Sequence, residues 1–567
     1  MSRYLFALRQ PLLAGFSAGL LLALAACSAS QSETTADAAA PAAPEASLAD
    51  MARESVVAQK SERVAGYVAS PAVKPMLMPA PLADALPSGY RDEAREQYQA
   101  LADNPVHAVI ESPVSTFSID VDTGAYANVR RFLNQGQLPP KDAVRLEEMV
   151  NYFPYAYPLP KGDTPFGVGI ELAQTPWNPE SRLLRVAIKA SDTQVEALPP
   201  ANLVFLVDVS GSMDRREGLP LVQSTLKLLV DQLRSQDKVS LVVYAGESRV
   251  VLEPTSGAEK ARIRAAIEAL TAGGSTAGES GIQLAYQQAS KGFIEKGINR
   301  ILLATDGDFN VGISDFETLK QLAADKRKTG VSLTTLGFGV DNYNEQLMEQ
   351  LADAGDGNYA YIDNLREARK VLVDQLGSTL SVVAKDVKIQ VEFNPAQVSE
   401  YRLLGYENRA LKREDFSNDK VDAGEIGAGH TVTALYEIVP VGGKGWLEPL
   451  RYQSKPQPAL DKNELALLRI RYKAPGETSS RLLEVPVRPE PVASIERASE
   501  DLRFAAAVAA FAQQLRGGRY TGEFGLADSA RLARGAKGED PFGLRGEFVQ
   551  LVELTQSLDI SSDGTPD

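Results

Sequence analysis

The chain has 567 residues, 44 % hydrophobic and 23 % charged, with 59 Lys and Arg against 74 Asp and Glu for a net charge of −15. That length suits about three or four domains, and the composition is ordinary for a globular protein. The acidic balance argues against nucleic-acid binding, which needs a cationic face; a single cysteine excludes an internal disulfide, and only two histidines, His107 and His430, exclude multi-histidine metal chemistry.

At the N-terminus, Arg3 and Arg9 form a positive region before an apolar stretch, residues 12–26, shorter than the roughly 20 residues a membrane-spanning helix needs. It ends in Leu24-Ala25-Ala26-Cys27, which resembles the lipobox of bacterial lipoproteins. The resemblance implies a signal peptide over 1–26 and lipid attachment at Cys27, each buried CH₂ adding about 0.8 kcal/mol of anchoring. With Ser28 next, it also implies the outer membrane of a Gram-negative cell envelope. The plainer alternative is an ordinary secretory signal with a chance cysteine. The place of the only cysteine at the cleavage point favours lipidation. Residues 27–105 are rich in Ala, Pro and Ser and have few groups to offset chain entropy, so a disordered tether is expected.

Next in chain order, residues 115–122 predict a strand and 126–135 a helix, with Asp122 or Thr123 as N-cap. A short helix follows near 144–153, then strands over 168–175 and 183–190 around a turn carrying Trp177. At 203–207 an unbroken apolar run marks a strand buried on both faces. Leu219, Val222, Leu226, Leu229, Val230 and Leu233 then fall at helical spacing. Strands over 239–244, 249–252, 300–304 and 332–338 alternate with helices over 258–270, 278–290, 315–328, 344–352 and 365–380. That alternation predicts a mainly parallel sheet with helices on both faces. From 384 the chain turns strand-rich (387–393, 401–405, 431–439, 465–472, 481–487). After 496 the helical period returns, with Phe504, Val508, Phe511 and Leu515 on one face and a last helix carrying Phe548, Leu551, Val552 and Leu558.

The first apolar strand runs into Asp208-Val209-Ser210-Gly211-Ser212; Gly273-Gly274-Ser275-Thr276 and Ala304-Thr305-Asp306-Gly307 follow. These segments, in order, spacing and strand context, resemble the von Willebrand factor A domain and its metal-ion-dependent adhesion site. The residues allow an independent reading. Asp208, Ser210, Ser212, Thr276 and Asp306 offer only oxygen, as a hard cation such as Mg²⁺ requires. Two carboxylates balance the charge of a divalent ion. Three hydroxyls add none, so the ion stays electrophilic and accepts one more oxygen from outside. In a 3-2-1-4-5-6 strand order, the ligand crevice lies between the first and fourth strands, which carry Asp208 and Asp306. The resemblance implies direct binding by Ser210, Ser212 and Thr276, direct or water-mediated binding by the two acids, and a partner Glu or Asp at the sixth position. Mn²⁺ is the second candidate ion.

Weaker signals have blander readings. Asp120 and Asp122 resemble the start of a calcium loop whose third acid is missing, and helix capping suits them better. Asp306, Asp308 and Asn310 have their glycine one position late for an EF-hand. Ser224 and Lys227, and Lys328-Thr329-Gly330, mimic S-x-x-K and K-T-G of penicillin-recognising enzymes, but lie in mid-helix and in a helix-to-strand turn. The flanks of the α/β unit also look like the N-terminal extension and C-terminal region of a group of bacterial lipoproteins with this domain.

The expected organisation is a signal peptide (1–26), tether (27–105), N-terminal associated domain (106–200), doubly wound α/β domain (201–380), β-rich domain (381–495) and helical segment (496–567). The strands before and after the α/β unit are expected to share one β-layer. The expected function is non-enzymatic: a lipid-anchored envelope protein that docks a protein partner through the ion. The alternatives are a peptidoglycan or peptide hydrolase using the domain as a clamp, or an assembly scaffold.

Overall fold

A computed structural model describes residues 96, 98–120, 122–192, 198–274, 278–307, 316–339, 343–421, 423–448, 450, 463–488 and 492–562. All belong to the unit Leu86–Asp567. The expected signal peptide, Cys27 and most of the tether lie outside the described residues. The last stretch of the tether, expected to be disordered to residue 105, is instead packed on the fold, with Glu96 paired to Arg131 (2.7 Å), Asp103 to Arg516 (2.8 Å) and the Asn104 amide donating to Gly405 O (2.6 Å). Among the described residues no helix is long and apolar enough to cross a membrane.

The strands, in chain order, are β1 (His107–Ala108), β2 (Val114–Ser118), β3 (Phe166–Thr175), β4 (Asn178–Ala190), β5 (Ala201–Asp208), β6 (Lys238–Tyr244), β7 (Ser248–Ser256), β8 (Ile298–Thr305), β9 (Ser332–Gly337), β10 (Tyr359–Tyr361), β11 (Val382–Phe393), β12 (Val398–Leu404), β13 (Ile426–Gly427), β14 (Thr431–Pro440), β15 (Ala466–Lys473) and β16 (Arg481–Val487).

The α/β unit has the sheet order β10-β9-β8-β5-β6-β7, which is the expected reversal between its first and fourth strands. Its members run parallel except β7, which pairs antiparallel with β6. All eight residues of β5 are buried, because helices cover both faces. Leu203, Phe205 and Val207 pack with Val222, Leu226 and Leu229 of the helix Leu219–Gln232. Val204 and Leu206 pack with Ile282, Ala285 and Ala289 of Gly278–Gly292. Period-two alternation on a doubly covered strand explains why the run is apolar throughout.

The flanking strands form two antiparallel sheets facing each other. One has the order β1-β12-β14-β4-β3; the other has β13-β11-β15-β16, with β2 pairing β11. Leu184, Val186 and Ile188 of β4 share a core with Val387, Ile389 and Val391 of β11. The expected sharing of one layer holds for β3 and β4 with β12 and β14, and is corrected for β11, β15 and β16, which form a second, facing layer. Residues 106–200 and 381–495 interleave in this sandwich, since β4 pairs with β14 from Arg182↔Ile438 to Lys189↔Thr431. The α/β unit is inserted between them in sequence. A further aromatic core joins Tyr126, Tyr152 and Phe153 to Phe504, Phe511 and Phe548 of the C-terminal helices.

Two local expectations change. The helix Gly124–Asn134 is capped by Thr123 with no side-chain hydrogen bond. Asp122 instead accepts from the Tyr359 amide (2.9 Å) and pairs with Arg409 (3.0 Å). The expected helix over 365–380 breaks into Leu365–Arg369, a π-helical turn Lys370–Asp374, and Leu376–Leu380. Gln375 N donates to Lys370 O (2.8 Å), the i→i+5 bond of that turn. The wider turn keeps Val371 and Leu372 in the core of the sheet, while the Lys370 ammonium reaches Glu367 (3.4 Å) and the Tyr152 ring (3.3 Å to its centroid).

Candidate metal centre at the end of the sheet

β5 and β8 are parallel neighbours with Val207 opposite Ala304. This register sets Asp208 beside Thr305, and Asp306 one step beyond. Asp208 is fully buried and Asp306 nearly so. The Ser210 amide donates to Asp208 Oδ1 (2.8 Å), and the Thr305 hydroxyl donates to Oδ2 (3.0 Å). Asp208 therefore ties its own loop to the end of the neighbouring strand.

The loop after β5 is held by backbone bonds. Val209 N donates to Tyr244 O (3.0 Å), Gly273 N to Val209 O (2.8 Å) and Gly211 N to Gly274 O (3.0 Å). The glycines are required here: Gly274 sits at φ +96°, with a Cβ position 3.4 Å from the Gly246 amide, a left-handed conformation that side chains resist. So fixed, the loop turns the hydroxyls of Ser210 and Ser212 to within 3.0 Å of each other.

Past β8, Gly307 donates its amide to Thr305 Oγ1 (3.1 Å). It holds φ +84°, and a Cβ there would stand 2.8 Å from the Asn344 amide. The turn bends the chain away immediately after Asp306. Thr305 and these backbone contacts were not singled out as site residues from the sequence. The available signal was a hydroxyl residue at the strand end, opposite Asp208 in the register.

Burial, then the nearby charge of Asp306, pushes the Asp208 carboxyl up to about 7, against the lowering effect of its bonds to Ser210 and Thr305. Two carboxylates packed this closely repel, and a divalent cation relieves that repulsion while taking the hydroxyls as further oxygen donors. The donor set described here, Asp208, Ser210, Ser212 and Asp306, fits such an ion. Thr276 lies outside the described residues, as do Ser275, Asp308 and Asn310.

A second group of acids, Asp120, Asp122 and Asp353, also brings its oxygens together. Arg409 fills it, lying 3.0 Å from Asp120, 3.0 Å from Asp122, 2.7 Å from Asp353 and 2.6 Å from Glu349. A guanidinium in that position makes the group a clamp between β-sandwich and α/β unit.

The remaining sequence signals are structural. Trp177 is buried and donates its indole N–H to Glu437 (3.1 Å). His107 stacks on Tyr401 with ring centroids 5.2 Å apart. Ser224 donates to Pro220 O within its own helix (2.9 Å).

Three families match the chain: one described as "von Willebrand factor" over residues 92–185, "von Willebrand factor type A domain" over 202–375, and "Uncharacterized protein YfbK, C-terminal" over 378–558. YfbK of Escherichia coli (strain K12) is 53 % identical over 477 residues, covering 82 % of each chain. Inter-alpha-trypsin inhibitor heavy chain H4 of Homo sapiens is 29 % identical over 150 residues, 25 % of this chain and 16 % of that protein. The solved structure "von Willebrand factor type A from Catenulispora acidiphila" aligns with 67 % of this chain and 88 % of its own at 17 % identity, with a TM-score of 0.38.

Proposed function

Because the chain belongs to the von Willebrand factor type A proteins of the YfbK group, whose A domains commonly mediate protein–protein interaction, we propose that it docks a protein partner at the β5–β8 crevice through a divalent cation. Asp208, Ser210, Ser212, Asp306 and Thr276 hold the cation, Mg²⁺ or secondarily Mn²⁺. When bound, it supplies an electrophilic position for a Glu or Asp carboxylate of the partner. The chain's own residues prepare this. Asp208 positions the Ser210 loop, Thr305 positions Asp208, and the neutral hydroxyls leave the cation short of negative charge. The observation that carries the reading is the convergence of the Ser210 and Ser212 hydroxyls (3.0 Å) beside two buried carboxylates at the sheet's reversal point.

The protein is proposed to stand on the outer membrane of a Gram-negative envelope through lipid on Cys27, with the residues between Cys27 and Glu96 as spacer. Support comes from the Leu24-Ala25-Ala26-Cys27 sequence alone.

The test is capture of envelope proteins by the purified chain in Mg²⁺ and in EDTA, beside the Asp208→Ala and Thr276→Ala variants. A partner retained in Mg²⁺ and lost in both variants supports the reading. Capture indifferent to chelation removes it, and turnover of peptidoglycan by clean protein favours the hydrolase alternative.

A further inference from the structure

A second hollow, of about 490 Å³, lies where the π-helical turn, the β-sandwich and the C-terminal helices meet. Its size is that of small-ligand sites, which concentrate at junctions between modules. Its walls divide by chemistry. Phe153, Tyr155 and Leu544 give an apolar side, and Phe542 stands half-exposed at the rim. Lys189, Arg369 and Lys370 line it too, brought from two distant stretches of chain.

Two of these cations, Lys189 and Arg369, make only long pairs with carboxylates. Lys189 donates one N–H to the Gly429 carbonyl (2.5 Å) and lies 3.4 Å from Asp192, whose side chain is 57 % exposed, so its other N–H donors are the ones open to a ligand. Arg369 lies 3.8 Å from Asp374. Both separations exceed the roughly 2.7–2.9 Å of a charge-assisted hydrogen bond, and exposed pairs of this kind contribute little. Each is a place one carboxylate already visits and another can take. His430 lines the same hollow. Burial, with Lys189 and Lys370 nearby, holds its imidazole down at about 4, so at neutral pH it adds a polar group without charge.

We propose that this cavity binds a small organic carboxylate, its charge set against Lys189 and Arg369 and its apolar body against Phe153, Tyr155 and Leu544. A monoanion suits the wall better than a multiply charged ion. Lys370 is already paired with Glu367 and Arg366 with Glu547, so the exchangeable places are single-carboxylate places. The inference stands apart from the metal centre.

The test titrates the full-length chain with octanoate, octanol and inorganic phosphate. Binding is followed by calorimetry and by the imidazole resonances, which only His107 and His430 contribute. The expected result is saturable octanoate binding that moves the His430 signal and not that of His107, with octanol and phosphate at least about tenfold weaker. Arg369→Glu and Lys189→Gln are each expected to weaken octanoate by about tenfold, with unchanged circular dichroism. Asp208→Ala is expected to leave it unchanged. Octanol binding as tightly as octanoate, phosphate matching it, no binding of any probe, or variants of wild-type affinity would each overturn the proposal.

Discussion

Thr305 donates its hydroxyl to Asp208 Oδ2 across 3.0 Å, linking the ends of two parallel strands at the point where the sheet order reverses. The bond sets the direction of a carboxylate that cannot turn to water. Replacement by the near-isosteric valine leaves that oxygen buried without its donor. Thr305→Val is expected to cost about 1–3 kcal/mol in denaturant unfolding and to weaken Mg²⁺ binding, while Thr305→Ser retains most of both.

The turn after β8 makes a second prediction. Gly307 holds φ +84°, and its missing Cβ would face the Asn344 amide at 2.8 Å. Gly307→Ala meets left-handed strain of about 1–2 kcal/mol plus a backbone clash. Thermal unfolding is expected to fall by several degrees, and Mg²⁺ affinity to fall with it, because Asp306 is the adjoining residue.

Arg130 is the hub between the last part of the α/β unit and its flanks. It lies 2.5 Å from Asp363, 2.8 Å from Glu367 and 2.8 Å from Glu547, and donates to the Tyr152 hydroxyl (2.9 Å). Arg130→Met leaves Asp363 buried without its main counter-charge and Glu367 with Lys370 alone. The expected loss is about 3–5 kcal/mol, read by chemical unfolding. A double variant that also carries Glu367→Gln is expected to regain part of it.

Burial, then the charges of Glu349 and Glu147, raises the buried Glu148 carboxyl to about 8, against the Ala125 amide and Arg145, which lower it. The folded state therefore keeps a proton that the unfolded chain releases near the ordinary carboxylate value. The stabilisation is complete at acid pH and declines as pH rises toward about 8, by up to about 1.4 kcal/mol per pH unit. Unfolding measured from pH 5 to pH 9 is expected to show a flatter decline for Glu148→Gln than for wild type. Parallel profiles would contradict this account of Glu148.

The α/β unit was legible because its signals are local. The 203–207 run and the helical spacing of 219–233 are written in consecutive residues, and the structure places β5 and the helix Leu219–Gln232 on them. The motif acids fell at the right strand ends for the same reason. What eluded the sequence depends on distant partners. That β4 and β14 share a layer was expected, but their register, which joins residues about 250 positions apart, and the division of β11, β15 and β16 into a second sheet are recorded in no periodicity. β10 is three residues long, too short to show a period. The π-helical turn depends on where Lys370 finds Glu367 and the Tyr152 ring. Asp122 had the composition of a helix cap but was taken by Tyr359 and Arg409, two long-range contacts stronger than a local one.

Asp208, Ser210, Ser212 and Asp306, with Thr276, are proposed to grip a divalent cation. Calorimetric titration of MgCl₂ into metal-free protein tests this directly, on wild type and on a Ser210→Ala, Ser212→Ala double variant of matched circular dichroism. Wild type is expected to take up one ion per chain saturably, and the variant to lose that uptake. No heat of binding at millimolar Mg²⁺ or Mn²⁺, or uptake equal in both proteins, would contradict the proposal.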